Sequence, residues 1–366
     1  MSEDPYPLRR AYADSVVAAP DVRVNRERRR FLQLMASAAA VGGAGCSGPP
    51  AETIASYVRT PETLVSGTPV FYATAFVNRG YAHGVLVETD MGRPIKIEGN
   101  PLHPASLGAT DVPTQASVLQ LWDPDRSQTV MQRGRIATWA AWDSTLLERL
   151  SALRRAHGAG LALLTRTITS PTLRRQLERL LQRYPEARWY AYDPLHEDRA
   201  IAGAKLAFGR AIQPVYHFDR ARVVVALGAR FLDGTCSSVR YAHDYIDARR
   251  HSLDAQPLRF YALETTPGLE GAMADDRLAL PPAELERAIW RVAARLGVTS
   301  TKLEDNAATA RWESALAAQL HAHRGQSLIV PGEMLSPQTH ALVHAINAAL
   351  ANAGNTVAYI DRIDAG

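Results

Sequence analysis

Cysteine is nearly absent from this chain. Among 366 residues only Cys46 and Cys236 carry a thiol, which excludes a four-cysteine zinc site, a four-cysteine iron–sulfur cluster and a disulfide framework built from this chain alone. A dominant charge is also missing. The 41 basic and 37 acidic residues leave +4, and half of that excess lies in residues 1–45, where seven arginines face five acidic residues. So small a remainder gives no electrostatic footprint for nucleic acid, and no nucleic-acid partner is expected. No apolar run reaches the roughly 18 residues that would mark a membrane-spanning helix. Neither Gly-x-Gly-x-x-Gly nor Gly-x-x-x-x-Gly-Lys-Ser/Thr follows the apolar strand 223–227, and no Ser, His and Asp set lies in a nucleophile-elbow pattern, so that strand carries no phosphate cradle of the usual kind and the usual acyl-transfer site is not encoded.

What remains is the composition of a globular protein, 46% hydrophobic and 21% charged, with length for two or three domains. The N-terminus reads as an address. Arg28-Arg29-Arg30-Phe31-Leu32 precedes a small and apolar run, Leu34 to Gly45, which ends at Cys46. The run is too short to span a bilayer, and the order Arg28, Arg29, Phe31, Leu32 fits a twin-arginine export signal. Cys46 after Gly-Ala-Gly is a candidate for lipidation, although Gly43 stands where a lipobox carries leucine; the other reading is a plain cysteine beside a cleavage site. Export in this form puts the body of the protein on the periplasmic face of the inner membrane, with a lipid anchor if Cys46 is acylated.

Four segments follow from the patterning: the signal at 1–46, an extended arm at 47–70, a β-rich unit at 71–135 and an α/β region at 136–366. In the β-rich unit, Val85 to Glu88 and Pro94 to Glu98 flank the turn Asp90-Met91-Gly92-Arg93, a hairpin signal. In the α/β region, strand-length apolar runs at 161–165, 188–192, 223–227, 260–264, 328–331 and 357–360 alternate with helical stretches near 141–156, 171–184, 238–252, 282–296, 309–323 and 337–353. Pro171, Pro282 and Pro337 mark helix starts, and Gly297, Gly325 and Gly354 mark ends. Strand and helix in alternation predict parallel sheets with helices on both faces.

The isolated candidate sites have ordinary structural explanations. His340 and His344 share one helix face at the spacing that can hold zinc, but Ala341 stands where His-Glu-x-x-His needs glutamate, so packed or solvated polar positions explain them better. His321 and His323 face different sides, His196, Glu197 and Asp198 suit a capped helix start, Asp123 and Asp125 shape a turn around Pro124, and Asp275 and Asp276 point apart. Arg174, Arg175, Arg179 and Arg183 form a solvated or docking face.

Gly84-Val85-Leu86-Val87-Glu88, Gly92 to Gly108 and Leu121-Trp122-Asp123-Pro124-Asp125-Arg126 together resemble the N-terminal region of the molybdopterin oxidoreductase superfamily. Within it the chain is most similar to the cofactor-free N-terminal half of the large periplasmic subunit of alternative complex III, a quinol-oxidising respiratory assembly. Phe71 to Ala75, Ser238 to Ala242, Gly271 to Asp275 and His340 to Thr356 extend the similarity over nearly the whole chain. The resemblance implies an α/β molybdopterin oxidoreductase-like fold. It also implies a cluster in catalytic members, held by cysteines before the Gly84 strand and after Gly108; here 71–82 and 107–112 contain none, and a thiolate-held cluster has no ligands.

By this resemblance the chain holds no cofactor of its own. The [4Fe-4S] and [3Fe-4S] clusters and haem c are expected in partner chains or in a cysteine-rich second half that residues 1–366 do not include. The implied partners are iron–sulfur, multihaem cytochrome c and integral membrane quinol-binding subunits, among which the chain is a non-catalytic scaffold docking the iron–sulfur partner. The alternative is a catalytic molybdopterin-dependent oxidoreductase without the N-terminal cluster. In that reading Cys236, in the loop after strand 223–227 and at a ligand-crevice position of an α/β sheet, becomes a candidate metal ligand; otherwise it is a small, partly buried side chain. Gly228 and Gly234 in the same loop resemble the nucleotide side of a pterin-binding domain or its vestige. The leader is checked by mass spectrometry of the mature N-terminus: an acylated Cys46 at the front establishes the lipoprotein, and a different, unmodified first residue excludes it.

Overall fold

The computed structural model describes residues 64–65, 67–78, 80–234, 238–251, 257–301 and 303–363. The export signal Arg28, Arg29, Phe31 and Leu32, the candidate lipidation site Cys46, and Cys236 lie outside the described residues.

The chain enters through an antiparallel sheet of β1 (Val70–Asn78), β2 (Tyr81–Asp90) and β3 (Arg93–Gly99), in that spatial order. The hairpin read at 85–98 is β2–β3, turned by Met91 and Gly92, both at positive φ. After it come α1 (Val112–Ala116), the small hairpin β4 (Val130–Gln132) and β5 (Arg135–Ala137), and α2 (Trp139–Arg155). A two-stranded parallel pair, β6 (Ala162–Thr165) and β7 (Arg188–Ala191), encloses α3 (Pro171–Arg183).

The main sheet begins further on. α4 (Asp198–Phe208) and β8 (Ile212–Tyr216) lead into β9 (Val223–Leu227), α5 (Ser238–His251), β10 (Arg259–Glu264), α6 (Leu269–Met273), β11 (Asp276–Ala279), α7 (Pro282–Arg295), α8 (Ala310–Ala322), β12 (Ser327–Pro331), α9 (Pro337–Ala349) and β13 (Val357–Asp361). The four parallel strands lie in the order β11-β10-β9-β12. The chain therefore moves outward from β9 through two crossovers and then returns to its other side, which is a doubly wound sheet with a switch point between β9 and β12.

Burial explains the composition of these strands. Val223, Val225 and Leu227 face one core with Leu285, Ile289 and Val292 of α7, Leu316 and Leu320 of α8, and Val343 and Ile346 of α9. Val224 and Ala226 face a second core with Phe218, Phe231, Tyr241 and Tyr245. A strand covered on both sides has no polar face to alternate, hence Val-Val-Val-Ala-Leu. Phe218 and Phe231 stack with ring centroids 4.4 Å apart, and Phe231, Tyr245 and Phe260 meet edge to face.

Two features depart from the sequence reading. β13 pairs with β8 antiparallel, from Val357 opposite Tyr216 to Asp361 opposite Ile212, so the last strand closes a separate ribbon instead of extending the parallel sheet. α4 starts where His196-Glu197-Asp198 suggested, but Glu197 at its N-cap makes no side-chain cap; the favourable term left there is the Asp198 carboxylate in the first turn.

Buried charges join α7 to α8. Glu313 is fully buried and accepts from Arg291 Nε at 2.9 and 3.1 Å and from Thr309 Oγ1 at 2.8 Å, while Arg291 Nη2 also reaches Glu284 at 2.6 Å. Removing one partner strands the other in low dielectric. Glu313→Ala is expected to lower unfolding stability by about 3 to 5 kcal/mol, read from the shift of the denaturant midpoint; an unchanged midpoint contradicts the buried network.

Candidate functional site

A doubly wound sheet offers its ligand crevice beyond the carboxyl ends of the strands at the switch point. Here that crevice is a cavity of about 240 Å³ whose walls include Tyr216, Arg230, Phe231, Gly332, His340 and His344. Small-molecule pockets usually run about 300 to 1,000 Å³.

The crevice is narrow because the loops after β9 and β12 touch. Gly228 N–H donates to Leu263 O at 2.7 Å, and Gly332 N–H donates to Leu227 O at 2.9 Å. A Cβ at Gly332 would collide with the Gly228 carbonyl and crowd the Ala229 nitrogen. The loop after β9 then spends its groups internally. Arg230 is bidentate to Asp233 at 3.1 and 2.8 Å, an ion pair that holds its guanidinium above the ordinary arginine range, and Phe231 is buried in the aromatic core. Leu232 N–H donates to Glu270 Oε1 at 2.8 Å. At about 240 Å³ the crevice gives less room than a pterin dinucleotide needs.

Two histidines line the cavity from α9. Burial pushes both imidazoles down to about 4, and the neighbouring His340 depresses His344 further. His344 Nδ1 lies 3.2 Å from the Tyr359 hydroxyl, with its ring edge-on to Phe208 and Tyr359. His340 Nε2 is buried and makes no hydrogen bond. Below them Glu286 accepts from Ser336 N–H at 2.9 Å, Ser336 Oγ at 2.5 Å and Thr339 Oγ1 at 2.6 Å; these bonds hold its carboxyl below the usual range against the opposing effect of burial. The two histidines thus share a face as their spacing required, but as packed neutral rings.

The region where the resemblance implies cluster ligands is filled by a tight loop. Asn100 O accepts from His103 N at 3.0 Å and Gly108 N at 3.1 Å, and Ser106 Oγ donates to Gly84 O at 3.1 Å. A Cβ at Gly84 would collide with the His103 ring, and one at Gly99 with the Gly108 carbonyl. Close backbone approach is therefore what these glycines supply. His83, just before Gly84, is buried with Nε2 unpartnered; burial lowers its pKa, partly offset by Asp111. No group of three or more His, Cys, Asp or Glu among the described residues could hold a metal ion, so this site does not fit an iron–sulfur cluster.

The remaining sequence candidates are dispersed. Asp123 Oδ1 accepts from Asp125 N–H at 2.9 Å, the turn expected around Pro124. Asp275 pairs with Arg249 at 2.5 Å and Asp276 with Arg259 at 3.8 Å, so the two carboxylates do diverge. Arg174 pairs with Glu178 across an exposed helix turn, and His196 pairs with Asp198 at 3.2 Å. Glu286, Tyr359 and Gly332 were not legible as site residues. A glycine directly after the strand 328–331 was the one available hint.

Comparison with known proteins agrees with this architecture. No protein-family model matches the chain. The menaquinone reductase, molybdopterin-binding-like subunit, of Nitratidesulfovibrio vulgaris (strain Hildenborough) is 24% identical over 181 residues, which are 49% of this chain and 26% of that protein. Acetylene hydratase from Pelobacter acetylenicus superposes with a TM-score of 0.51 at 13% identity, over 78% of this chain and 44% of that one. The chain has a molybdopterin oxidoreductase-like fold, with a β-rich N-terminal unit and a parallel α/β sheet. It spans about a quarter of the curated relative's length and under half of the hydratase chain.

The neutral histidines set an acid response. Unfolded, each imidazole binds its proton near pH 6.5; folded, only near about 4. The unfolded chain therefore takes up more protons as pH falls between those values, and stability is lost across that window, by up to roughly 3 kcal/mol for each ring. Denaturant midpoints from pH 7 to 4.5 should fall, and His340→Gln with His344→Gln should flatten the slope. The same slope in the double variant contradicts this account.

Proposed function

We propose that this chain is a cofactor-free scaffold of a membrane-bound, quinol-linked respiratory complex, similar to alternative complex III, and that it docks the iron–sulfur partner. In this reading it is exported by the twin-arginine route to the periplasmic face of the inner membrane. Clusters and haem c lie in partner chains or in a cysteine-rich half outside residues 1–366, and quinol is oxidised at an integral membrane subunit.

The observation that carries the reading is α2. None of its residues is buried, yet Trp139, Trp142 and Leu146 fall at i, i+3 and i+7 on one face, the tryptophans 72% and 50% exposed. An apolar helix stripe left to water is the mark of a surface covered in an assembly. The menaquinone reductase relative, named as a subunit, and the narrow switch-point crevice support the same conclusion.

The catalytic alternative rests on the same fold and on the position of Cys236. It requires Cys236→Ala to abolish an oxidoreductase activity of the purified chain; the scaffold reading requires that substitution to be silent. For docking, the tagged chain should bring down iron–sulfur, multihaem and membrane subunits from its native membranes, and Trp142→Glu with Leu146→Glu should cut that recovery at least tenfold while the chain stays folded. Equal recovery with the variant, or none with the wild type, refutes the scaffold.

A further inference from the structure

The two edges of the N-terminal sheet are built differently. β3 carries Arg93, Pro94, Lys96 and Glu98, with a register shift beside it at Glu88 and Thr89 and an ion pair between Lys96 and Glu98. Proline, charge and a bulge are the devices by which proteins stop a sheet edge from accepting another strand. β1 has none of them. Its nine residues, Val70-Phe71-Tyr72-Ala73-Thr74-Ala75-Phe76-Val77-Asn78, contain no charge, no proline and no bulge against β2, and among the described residues β2 is its one neighbour. Phe71, Tyr72 and Val77 are 47%, 52% and 63% exposed, and Ala73, Thr74 and Ala75 are exposed between them.

The sequence of β1 also fits itself. Laid antiparallel on a second β1 about an axis through Thr74, it sets Phe71 opposite Val77, Tyr72 opposite Phe76, Ala73 opposite Ala75 and Thr74 opposite Thr74. Opposed residues share a face of the sheet. Aromatic with aromatic, aromatic with β-branched and threonine with threonine are the cross-strand pairs that stabilise antiparallel ladders. The two copies are then related by a two-fold axis, the isologous contact of most homodimers.

We propose that β1 is the interface between two copies of this chain, joined as a continuous six-stranded sheet in the order β3-β2-β1-β1-β2-β3. The inference goes beyond the scaffold reading and stands without it. Its axis can be tested with charge, since two like charges directly opposite each other destabilise a ladder. The full chain should be a dimer by light scattering. Thr74→Lys and Thr74→Glu, at an exposed position, should each leave a folded monomer at the same concentration, and an equimolar mixture of the two should dimerise again. Hydrogen exchange at 70–78 should be slow in the wild type and the mixture and fast in either variant alone. The proposal is overturned by a monomeric wild type, by either variant remaining dimeric, by no recovery in the mixture, or by β1 amides that gain protection only when another respiratory subunit is added.

Discussion

Gly332 approaches the Gly228 carbonyl so closely across the switch point that the loop after β12 can carry no side chain there, and much else in the α/β region depends on that contact. The contact needs β9 and β12 in register, from Val223 opposite Ser327 to Leu227 opposite Pro331. Burial on both faces supplies that register, because a slip by one residue would exchange the members of the two cores. Buried polar groups then fix β12 against α9: Ser327 Oγ donates to Asn352 Oδ1 at 3.0 Å, Asn352 Nδ2 to Asn347 Oδ1 at 3.0 Å, and Asn347 Nδ2 to Ile329 O at 3.1 Å. The close approach has a functional consequence. The place where a doubly wound sheet ordinarily offers amides and space to a ligand is narrowed by its own backbone.

The same logic recurs in the β-rich unit. Gly84, Gly99 and Gly108 let the loop after β3 lie directly on β2 and β3, and the amides of His103 and Gly108 are satisfied by Asn100. In both places glycines let backbone segments touch, and internal hydrogen bonds use groups of the adjoining loops. The surface is less settled: α2 shows its tryptophans to water and β1 shows an unguarded edge. The proposed scaffold role rests on these open apolar surfaces.

Much of the fold was legible because burial on both sides writes a strong signal. Val223–Leu227 appears within the bounds read from sequence, and 328–331 is extended by one residue to Ser327. Pro171, Pro282 and Pro337 all sit at helix starts, since proline at N1 gives up an amide the helix does not use. β8 was missed, as Gln213 and Pro214 break its apolar pattern, and with it the antiparallel pairing that takes β13 out of the parallel sheet. At the site, the helical spacing of His340 and His344 was readable, but their neutrality was not. It follows from desolvation under α4, where Gly203 packs against the His340 Cβ, a contact between segments far apart in the chain.

The central proposal is that the redox centres lie in neighbouring chains or in sequence outside residues 1–366, while this chain positions them. Metal analysis of the full chain purified alone, by mass spectrometry of iron and molybdenum with extraction of any pterin, tests it most directly. The account predicts that neither metal nor a pterin is retained in proportion to the protein. One molybdenum, or four irons, for each chain would contradict it.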